Sequence, residues 1–266
     1  MAKRFVVFSD LDGTLLDHST YSFEPALPAI DALKQRSIPI VLNSSKTQPE
    51  MERLQQQIGL DCPFIVENGA AVIIPQGALG NLKQECVNFA EPLQNVLAQL
   101  EQRRAEGYAF CGFHDMSVQE VAEITGLNAE GAAFAKQRIA TEPLLWQGSD
   151  EGLAQFRGKL QQAGLQLIKG GRFYHVMGTY DKGDAMAYLM EQYRLQYPED
   201  EWFSVALGDS PNDERMLELA DFSMVIKGVN SAEVMQHSTK ANLVRSQQTG
   251  PRGWNETILE LLDNEA

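Results

Sequence analysis

Cysteine is scarce in this sequence, which has only Cys62, Cys86 and Cys111 among 266 residues. Their irregular spacing predicts neither a disulfide framework nor a zinc site, and we interpret them as ordinary buried thiols. Long apolar runs are also missing, since no stretch approaches the length of a membrane span. The first ten residues contain one short apolar run, residues 5–8, before the chain turns acidic, which is not typical of a targeting signal. We therefore expect a mature cytoplasmic protein without a membrane partner.

Basic residues are outnumbered, with 22 Lys and Arg against 36 Asp and Glu, which gives a formal net charge of −14. This balance argues against a nucleic-acid partner and against binding to anionic lipid. An anionic ligand would need local cations to override the overall field, so a lysine or arginine beside an acidic loop is informative. No Walker or dinucleotide glycine pattern is present. The hydrophobic fraction of 44% and the length predict a globular protein of one or two domains.

The first informative stretch is FVVFSDLDGTLLD, residues 5–17. Its apolar start predicts a buried strand, which ends at Asp10 and Asp12. Ligands of an open α/β sheet bind beyond the carboxyl ends of the strands, which is where these two carboxylates lie. Residues i and i+2 project to the same side if the extended backbone continues, and Gly13 allows the chain to turn away. Such a pair suits Mg²⁺, with one Asp as nucleophile and the other as acid/base.

Other predicted strands also end in polar residues. Residues 38–42 run into Asn43–Lys46, ahead of a helix whose first turn, Thr47–Glu50, fits a capping box and whose N-terminus favours an anion. A later strand ends at Gly208–Asp213, and Lys182 lies at the start of another helix. Each residue alone also fits a turn former, a helix cap or a solvated lysine. Their co-occurrence, in the order carboxylate pair, hydroxyl, lysine, carboxylate pair, favours one shared site.

The predicted elements fall into two groups. A βα rhythm at both ends of the chain predicts an α/β fold with a doubly wound, mainly parallel sheet. Between them, less apolar and mixed segments predict an inserted α+β domain. We predict a core domain of residues 1–80 and 180–266 and an inserted cap domain of residues 81–179. The predicted strands are 5–8, 38–42, 63–66, 71–74, 143–146, 165–169, 173–177, 203–207 and 222–226, and the predicted helices include 24–36, 47–58, 92–104 and 128–138.

The motifs resemble those of the haloacid dehalogenase-type phosphohydrolase superfamily, which has a Rossmann-like core. SDLDGT is similar to its first motif, Ser44 to its second, Lys182 to its third, and GDSPND, residues 208–213, to its fourth. A large insertion between Ser44 and Lys182 is typical of members with an α/β cap. Further stretches resemble the mannosyl-3-phosphoglycerate phosphatase family, and these are NSSKT (43–47), ENGA (67–70), AKQR with TEP (135–143), GRFYHVMG (171–178) and GPRGWN (250–255).

The resemblance implies roles for the core motifs. Asp10 would attack phosphorus to form an aspartyl-phosphate, and Asp12 would protonate the leaving oxygen and then activate water. The implied cofactor is Mg²⁺, bound by the Asp12 backbone carbonyl and by carboxylates, with Asp213 binding directly or supporting from nearby. The expected metal ligands are Asp10, Asp12, Asp209 and Asp213. The expected phosphate-binding residues are Leu11, Asn43, Ser44 and Lys182.

Substrate identity is expected to depend on the cap, because the core motifs handle only the phosphoryl group. Four basic residues could bind a carboxylate or sugar hydroxyls, and a surface or packing role is the alternative for each. They are Lys46, Arg138, Arg172 and His175. We interpret Trp146 and Trp254 as core residues, and Gly250–Gly253 as a closing loop.

The resemblance implies a phosphatase whose partner is a small phosphorylated sugar. Asp12 favours phosphate-ester hydrolysis or mutase chemistry over dehalogenase or transport ATPase chemistry. The preferred reaction is hydrolysis of mannosyl-3-phosphoglycerate to mannosylglycerate and phosphate. The alternatives are another sugar phosphatase, acting on glucosyl-3-phosphoglycerate or sucrose phosphate, and a regulator that binds a phosphosugar without turnover. The oligomeric state is left open.

Overall fold

The structure is a computed structural model that describes residues 2–170 and 172–265. Within these residues the strands are β1 (Lys3–Ser9), β2 (Ile40–Leu42), β3 (Phe64–Val66), β4 (Ala71–Ile74), β5 (Glu85–Asn88), β6 (Phe110–Gly112), β7 (Glu142–Trp146), β8 (Gln166–Gly170), β9 (Phe173–Met177), β10 (Glu201–Gly208), β11 (Phe222–Lys227) and β12 (Leu243–Thr249). The α-helices are α1 (Leu27–Gln35), α2 (Gln48–Ile58), α3 (Leu93–Ala105), α4 (Val118–Thr125), α5 (Ala129–Ala135), α6 (Asp150–Gln162), α7 (Lys182–Gln196), α8 (Glu214–Leu219) and α9 (Gly250–Asn264). Short 3-10 turns occupy Glu24–Ala26, Glu67–Gly69 and Pro211–Asp213.

Strand β1 lies inside a parallel sheet of the order β12-β11-β10-β1-β2. It pairs with β10 along its whole length and with β2 over its last three residues. Val7 packs into a core shared with α1, α2 and α9, whereas Val6 packs on the opposite face with α7 and α8. Because both faces are covered, the strand is a continuous apolar run rather than an alternating one. The predicted doubly wound α/β sheet is confirmed.

A small antiparallel sheet of the order β3-β4-β5 lies beyond β2. A parallel bridge between Asn43 and Ile65 joins the end of β2 to β3. The antiparallel pairing of β3 with β4 confirms that residues 71–74 return as a hairpin arm. Strand β5 lies within the range predicted for the cap, 81–179, and pairs with β4. The domain boundaries themselves stay a prediction.

Strands β6 to β9 form an antiparallel sheet of the order β6-β7-β9-β8, called here the cap sheet. One of its faces packs on α3 and α6 around Leu144 and Phe156. Its other face packs on α4 and α5 around Phe113 and Val121. These cores are distinct from the cores on the parallel sheet, as expected for an inserted α+β unit.

Several elements depart from the sequence predictions. Helix α6 was not predicted because its sequence is mostly polar, and Phe156 and Leu160 are its only buried residues. The prediction of a closing loop at Gly250–Gly253 is wrong, since these residues form the first turn of α9, where Pro251 is well tolerated. The prediction of buried thiols is wrong for Cys86, which is exposed on β5, while Cys62 and Cys111 are only partly buried.

Two side-chain predictions hold. Trp254 is fully buried in the core, and its indole N–H donates to Ser9 Oγ at 2.9 Å. The predicted capping box is present, since the Thr47 N–H donates to Glu50 Oε2 at 2.9 Å. Among the residues described, no helix has both the length and the apolar character needed to cross a membrane.

Candidate active site

Three neighbouring strands of the parallel sheet end in polar residues at the same edge. Asp10 follows β1, Asn43 and Ser44 follow β2, and Asp209 follows β10. The Asp10 N–H donates to the carbonyl of Leu207 at 2.9 Å, which ties the ends of β1 and β10 together. The fold therefore brings these predicted site residues to the carboxyl edge, where open α/β sheets bind their ligands.

Asp10, Asp209 and Asp213, called here the aspartate cluster, are all buried. One carboxylate oxygen from each lies within 4.8 Å of the others. Burial, followed by the charge of Asp213, raises the pKa of Asp10 to about 7. Burial, followed by the charges of Asp10 and Asp213, raises the pKa of Asp209 to about 8. A hard divalent cation prefers carboxylate oxygens and would relieve this repulsion, so the cluster fits a divalent metal ion.

Lys182 lies beneath the cluster with a fully buried side chain. Its Nζ donates to Asp10 Oδ1 at 2.5 Å and to Asp213 Oδ1 at 2.6 Å. Burial alone would lower the pKa of Lys182, but the two carboxylates outweigh burial and raise that pKa above its ordinary value. The lysine begins α7, whose N-terminus is capped by the Asp181 carboxylate. Asn43 Nδ2 donates to the Lys182 carbonyl at 3.1 Å, which holds the helix start against the end of β2.

The carboxylate of Asp213 is engaged on both sides. Its Oδ2 accepts hydrogen bonds from the N–H groups of Asp209 and Ser210, each at 3.1 Å, while Oδ1 accepts from Lys182. On the far side of the loop, the Thr14 hydroxyl donates to Asp209 Oδ1 at 3.0 Å. The hydrogen bonds of Asp213 thus fix the loop after β10 and orient Lys182, and the Thr14 hydroxyl holds Asp209.

Asp12 has different surroundings from Asp10. Its Oδ2 accepts a hydrogen bond from Lys46 Nζ at 2.7 Å, and its side chain is 38% exposed. The same Nζ lies 5.5 Å from the centre of the Tyr21 ring. Asp12 is therefore held by Lys46 and lines a cavity, and its carboxylate is not part of the aspartate cluster.

The remaining predicted phosphate-binding residues lie deeper. Ser44 is almost fully buried, and its Oγ accepts from the Lys46 N–H at 3.3 Å. The Leu11 side chain packs in the core, so only the backbone of this residue could contact a phosphate.

A cavity of about 1030 Å³ opens above Asp10, Asp12 and Asp209, between the carboxyl edge of the parallel sheet and the cap sheet. The predicted substrate-binding residues all line it, and they are Lys46, Arg138, Arg172 and His175. The structure thus gathers three of the motif carboxylates, Asp10, Asp12 and Asp209, and these four side chains around one cavity.

Both arginines hold backbone carbonyls as well as facing the cavity. Arg138 donates to the Thr141 carbonyl at 3.0 Å and to the Ser45 carbonyl at 2.6 Å. Arg172 donates to the Thr125 carbonyl at 2.7 Å and to the Tyr21 hydroxyl at 3.3 Å. Since Ser45 and Tyr21 precede residues 81–179, each arginine joins the predicted cap range to the predicted core range.

His175 is 7% exposed and lines the cavity from β9. Burial, followed by the charges of Arg138 and Lys182, lowers the pKa of His175 to about 3. Its Nδ1 has no hydrogen-bond partner within the described part of the chain. A neutral imidazole with an unused nitrogen can exchange hydrogen bonds with a sugar hydroxyl.

Comparison with known proteins identifies the family. A family model described as haloacid dehalogenase-like hydrolase matches residues 7–141. A glucosyl-3-phosphoglycerate/mannosyl-3-phosphoglycerate phosphatase of Persephonella marina is 35% identical over 265 residues, covering 97% of both chains. The chain belongs to the haloacid dehalogenase-like hydrolases.

Further comparisons give a second relative, a second family model and a solved structure with the same fold. A phosphatase of the same description from Methanococcoides burtonii is 34% identical over 273 residues, covering 97% of both chains. A second family model, described as sucrose-6F-phosphate phosphohydrolase, matches residues 149–258. A crystal structure of Thermoplasma acidophilum 0175 superimposes with a TM-score of 0.70 at 18% identity, covering 98% of this chain and 99% of that one. The resemblance predicted from the motifs is confirmed.

Sequence reasoning missed two buried carboxylates of this haloacid dehalogenase-like chain. Glu67 is fully buried and accepts hydrogen bonds from the cap segment 139–141. Glu142 is 2% exposed and accepts from the His114 N–H at 2.7 Å, and burial raises its pKa to about 7. Glu67 stands in ENGA and Glu142 in TEP, so both lay in stretches that supported the resemblance without indicating a role.

Proposed function

We propose that this chain is a metal-dependent phosphatase that hydrolyses mannosyl-3-phosphoglycerate to mannosylglycerate and phosphate. One observation carries the proposal: the ion-paired Asp10 lies on the floor of a cavity whose walls bring several basic side chains within reach of the same ligand. The names of the two relatives that match almost the whole chain support the substrate class.

Asp10 is the proposed nucleophile. Its carboxylate oxygen forms a bond to phosphorus as the bond from phosphorus to the glyceryl oxygen breaks, and Lys182 holds the carboxylate in place at 2.5 Å. Asp12 gives a proton to the departing oxygen, then takes one from the water that hydrolyses the aspartyl-phosphate. Asp12 suits this work because its side chain reaches into the cavity and is not locked into the cluster.

Mg²⁺ is the proposed cofactor, held by the carboxylates of Asp10 and Asp209 and by the Asp12 backbone carbonyl. When bound it supplies positive charge to the phosphoryl oxygens. Asp213 has a supporting role in this proposal, because both of its carboxylate oxygens already accept hydrogen bonds. Ser44, Asn43 and the Leu11 backbone complete the proposed phosphate site.

A glycosyl-3-phosphoglycerate carries a carboxylate and sugar hydroxyls besides its phosphate. Lys46 and Arg172 are the proposed partners of that carboxylate, since both are cationic and line the cavity. His175 and Arg138 are the proposed partners of the sugar. Sucrose phosphate is the second candidate substrate, supported by the family model that matches residues 149–258.

Initial rates of phosphate release decide among these candidates. Purified protein with Mg²⁺ is assayed on mannosyl-3-phosphoglycerate, glucosyl-3-phosphoglycerate and sucrose phosphate. We expect kcat/KM to be highest on the mannosyl compound, and we expect Asp10→Asn to lower kcat by at least about 10³-fold while leaving the protein folded. A higher kcat/KM on sucrose phosphate would make that compound the proposed substrate instead of mannosyl-3-phosphoglycerate. An Asp10→Asn variant as active as the parent would overturn the mechanism.

A further inference from the structure

The buried turn Glu67–Gly69 has an unusual backbone. The φ angles are 49° at Glu67, 59° at Asn68 and 98° at Gly69. Glycine adopts this left-handed region readily, but a glutamate side chain there is uncommon. Such conformations persist where the surrounding structure holds them, and they are concentrated at functional sites.

The first contacts are with the loop after β2. The Glu67 N–H donates to the Lys46 carbonyl and the Asn68 N–H donates to the Ser44 carbonyl, each at 2.9 Å. The turn is thereby fixed to the loop that carries a proposed phosphate-binding hydroxyl and the lysine that contacts Asp12.

Further contacts reach the other motif loops. Asn212 Nδ2, in the loop after β10, donates to Asn68 Oδ1 at 3.3 Å. Gly69 lies so close to the backbone of Asp181 and Lys182 that a Cβ atom would not fit. One turn thus touches the loops that carry all the proposed core groups apart from those of the loop after β1, which are Asp10, Leu11 and Asp12.

The Glu67 side chain leaves this turn and reaches the cap. Its Oε1 accepts from the Ile139 N–H at 2.7 Å, and its Oε2 accepts from the N–H groups of Ala140 at 3.1 Å and Thr141 at 2.8 Å and from the Thr141 hydroxyl at 2.8 Å. Hydrogen bonds to an ionised acceptor are among the stronger ones in proteins, and these four converge on one buried carboxylate.

Segment 139–141 leads directly to the cavity wall. It runs into β7, where Pro143 is the register partner of His175 on β9. Arg138, at the other end of the segment, donates to the Ser45 carbonyl of the core. Any shift of the segment would therefore move His175 and Arg138 relative to Asp10.

We infer that Glu67 is a positioning residue, whose carboxylate fixes segment 139–141 and thereby sets the His175 wall of the cavity over Asp10. This inference rests on the proposed function. A glycosyl substrate must contact both the floor and the wall, so its hydrolysis depends on Glu67. A small phosphate ester contacts only the floor of the cavity, so its hydrolysis does not depend on the position of the His175 wall.

The test uses Glu67→Gln in the full chain, with Glu142→Gln as the matched control. Both variants remove one buried carboxylate, but the hydrogen bond of Glu142 joins it to His114, within the cap range. We expect Glu67→Gln to lower kcat/KM on mannosyl-3-phosphoglycerate by about tenfold or more, and that on p-nitrophenyl phosphate by less than about twofold. In the control variant, Glu142→Gln, kcat/KM should fall by less than about twofold on either substrate.

Hydrogen exchange gives a readout that does not depend on activity. The amides of residues 139–141 should exchange about tenfold faster in Glu67→Gln than in the parent, and at the parental rate in Glu142→Gln. Thr141→Val removes one of the four donors to Glu67 and also the hydroxyl that accepts from Arg138 Nε at 2.9 Å. It should show the same selective loss on mannosyl-3-phosphoglycerate relative to p-nitrophenyl phosphate, but a smaller one.

Equal losses on the two substrates, or unchanged exchange at residues 139–141, would overturn the role of Glu67. A parent that hydrolyses none of the phosphate esters would overturn the proposed function instead, while the exchange experiment would still decide whether Glu67 holds the cap segment.

Discussion

Replacing Lys182 by methionine should destabilise the protein strongly. Within the described residues, Lys182 is the cation whose Nζ contacts Asp10 and Asp213, at 2.5 and 2.6 Å. Methionine fills a similar volume but leaves two buried carboxylates without their ion pair. Breaking a buried ion pair by removing one partner typically costs ~3–5 kcal/mol, and we expect a loss of that size in the free energy of unfolding.

A second substitution separates charge from packing. In Lys182→Met/Asp213→Asn, the new carboxamide oxygen can still accept from the Asp209 and Ser210 N–H groups, and its NH₂ can donate towards Asp10. One uncompensated buried charge is thereby removed. We expect the double variant to be more stable than Lys182→Met alone, with a favourable coupling energy in the double-mutant cycle.

Urea unfolding at neutral pH without added metal measures these differences. Lys46→Met is the control, because it removes a lysine from an ion pair whose side chains are 17% and 38% exposed, and it should cost no more than ~1 kcal/mol. Two results would contradict this expectation. One is a Lys182→Met variant that loses no more free energy of unfolding than Lys46→Met, and the other is a Lys182→Met/Asp213→Asn variant that is no more stable than Lys182→Met.

Three further predictions address the metal, the cap carboxylate and the cavity wall. Mg²⁺ should raise the melting temperature of the parent but not that of Asp209→Asn, because a ligand that binds only the folded state stabilises it. Thermal unfolding with and without the ion measures this, and equal shifts in both proteins would contradict the proposed metal site. Burial raises the pKa of Glu142 from 4.5 to about 7, so the folded state binds this proton more tightly than the unfolded state. The parent should therefore lose up to ~3 kcal/mol as the pH rises through that range, and Glu142→Gln should be stabilised relative to the parent at pH 8 but not at pH 4, which urea unfolding at the two values checks. Arg172→Met should raise KM for mannosyl-3-phosphoglycerate by about tenfold and change the rate on p-nitrophenyl phosphate by less than about twofold, and a similar loss on both would argue against contact with the glycerate carboxylate.

The convergence of Asp10, Ser44 and Asp209 could be predicted because each follows a buried apolar strand. Parallel strands place their carboxyl ends at one edge, so the sequence pattern specified both the strand and the position of the polar residue. Lys182 could be predicted from its place at a helix start. The buried face of α7 could be predicted from the helical spacing of four apolar residues, which are Met186, Leu189, Met190 and Tyr193.

Contacts between distant segments could not be predicted in the same way. Glu67 binds backbone N–H groups 72 to 74 residues further along the chain, and backbone N–H groups carry no sequence signal. Strand β12 was missed because it is an edge strand that alternates little and buries only Ser246. The short strand β6 was missed because Cys111 and Gly112 make its sequence, FCG, a weaker apolar run than IVL in β2 or FIV in β3, which are equally short.

The charges of the site explain how a protein with a net charge of −14 could handle a phosphate ester. When ionised, the three carboxylates of the aspartate cluster carry a charge of −3, and Lys182 supplies +1, which leaves −2 beneath the cavity. A divalent cation would bring that sum to zero, and it would do so where burial already raises the pKa values of Asp10 and Asp209. Lys182 already balances the nucleophile. Under the proposed function, the phosphate and carboxylate of the substrate would therefore be attracted by the metal, by the cavity-lining Arg172 and by Lys46, whose charge is shared with Asp12.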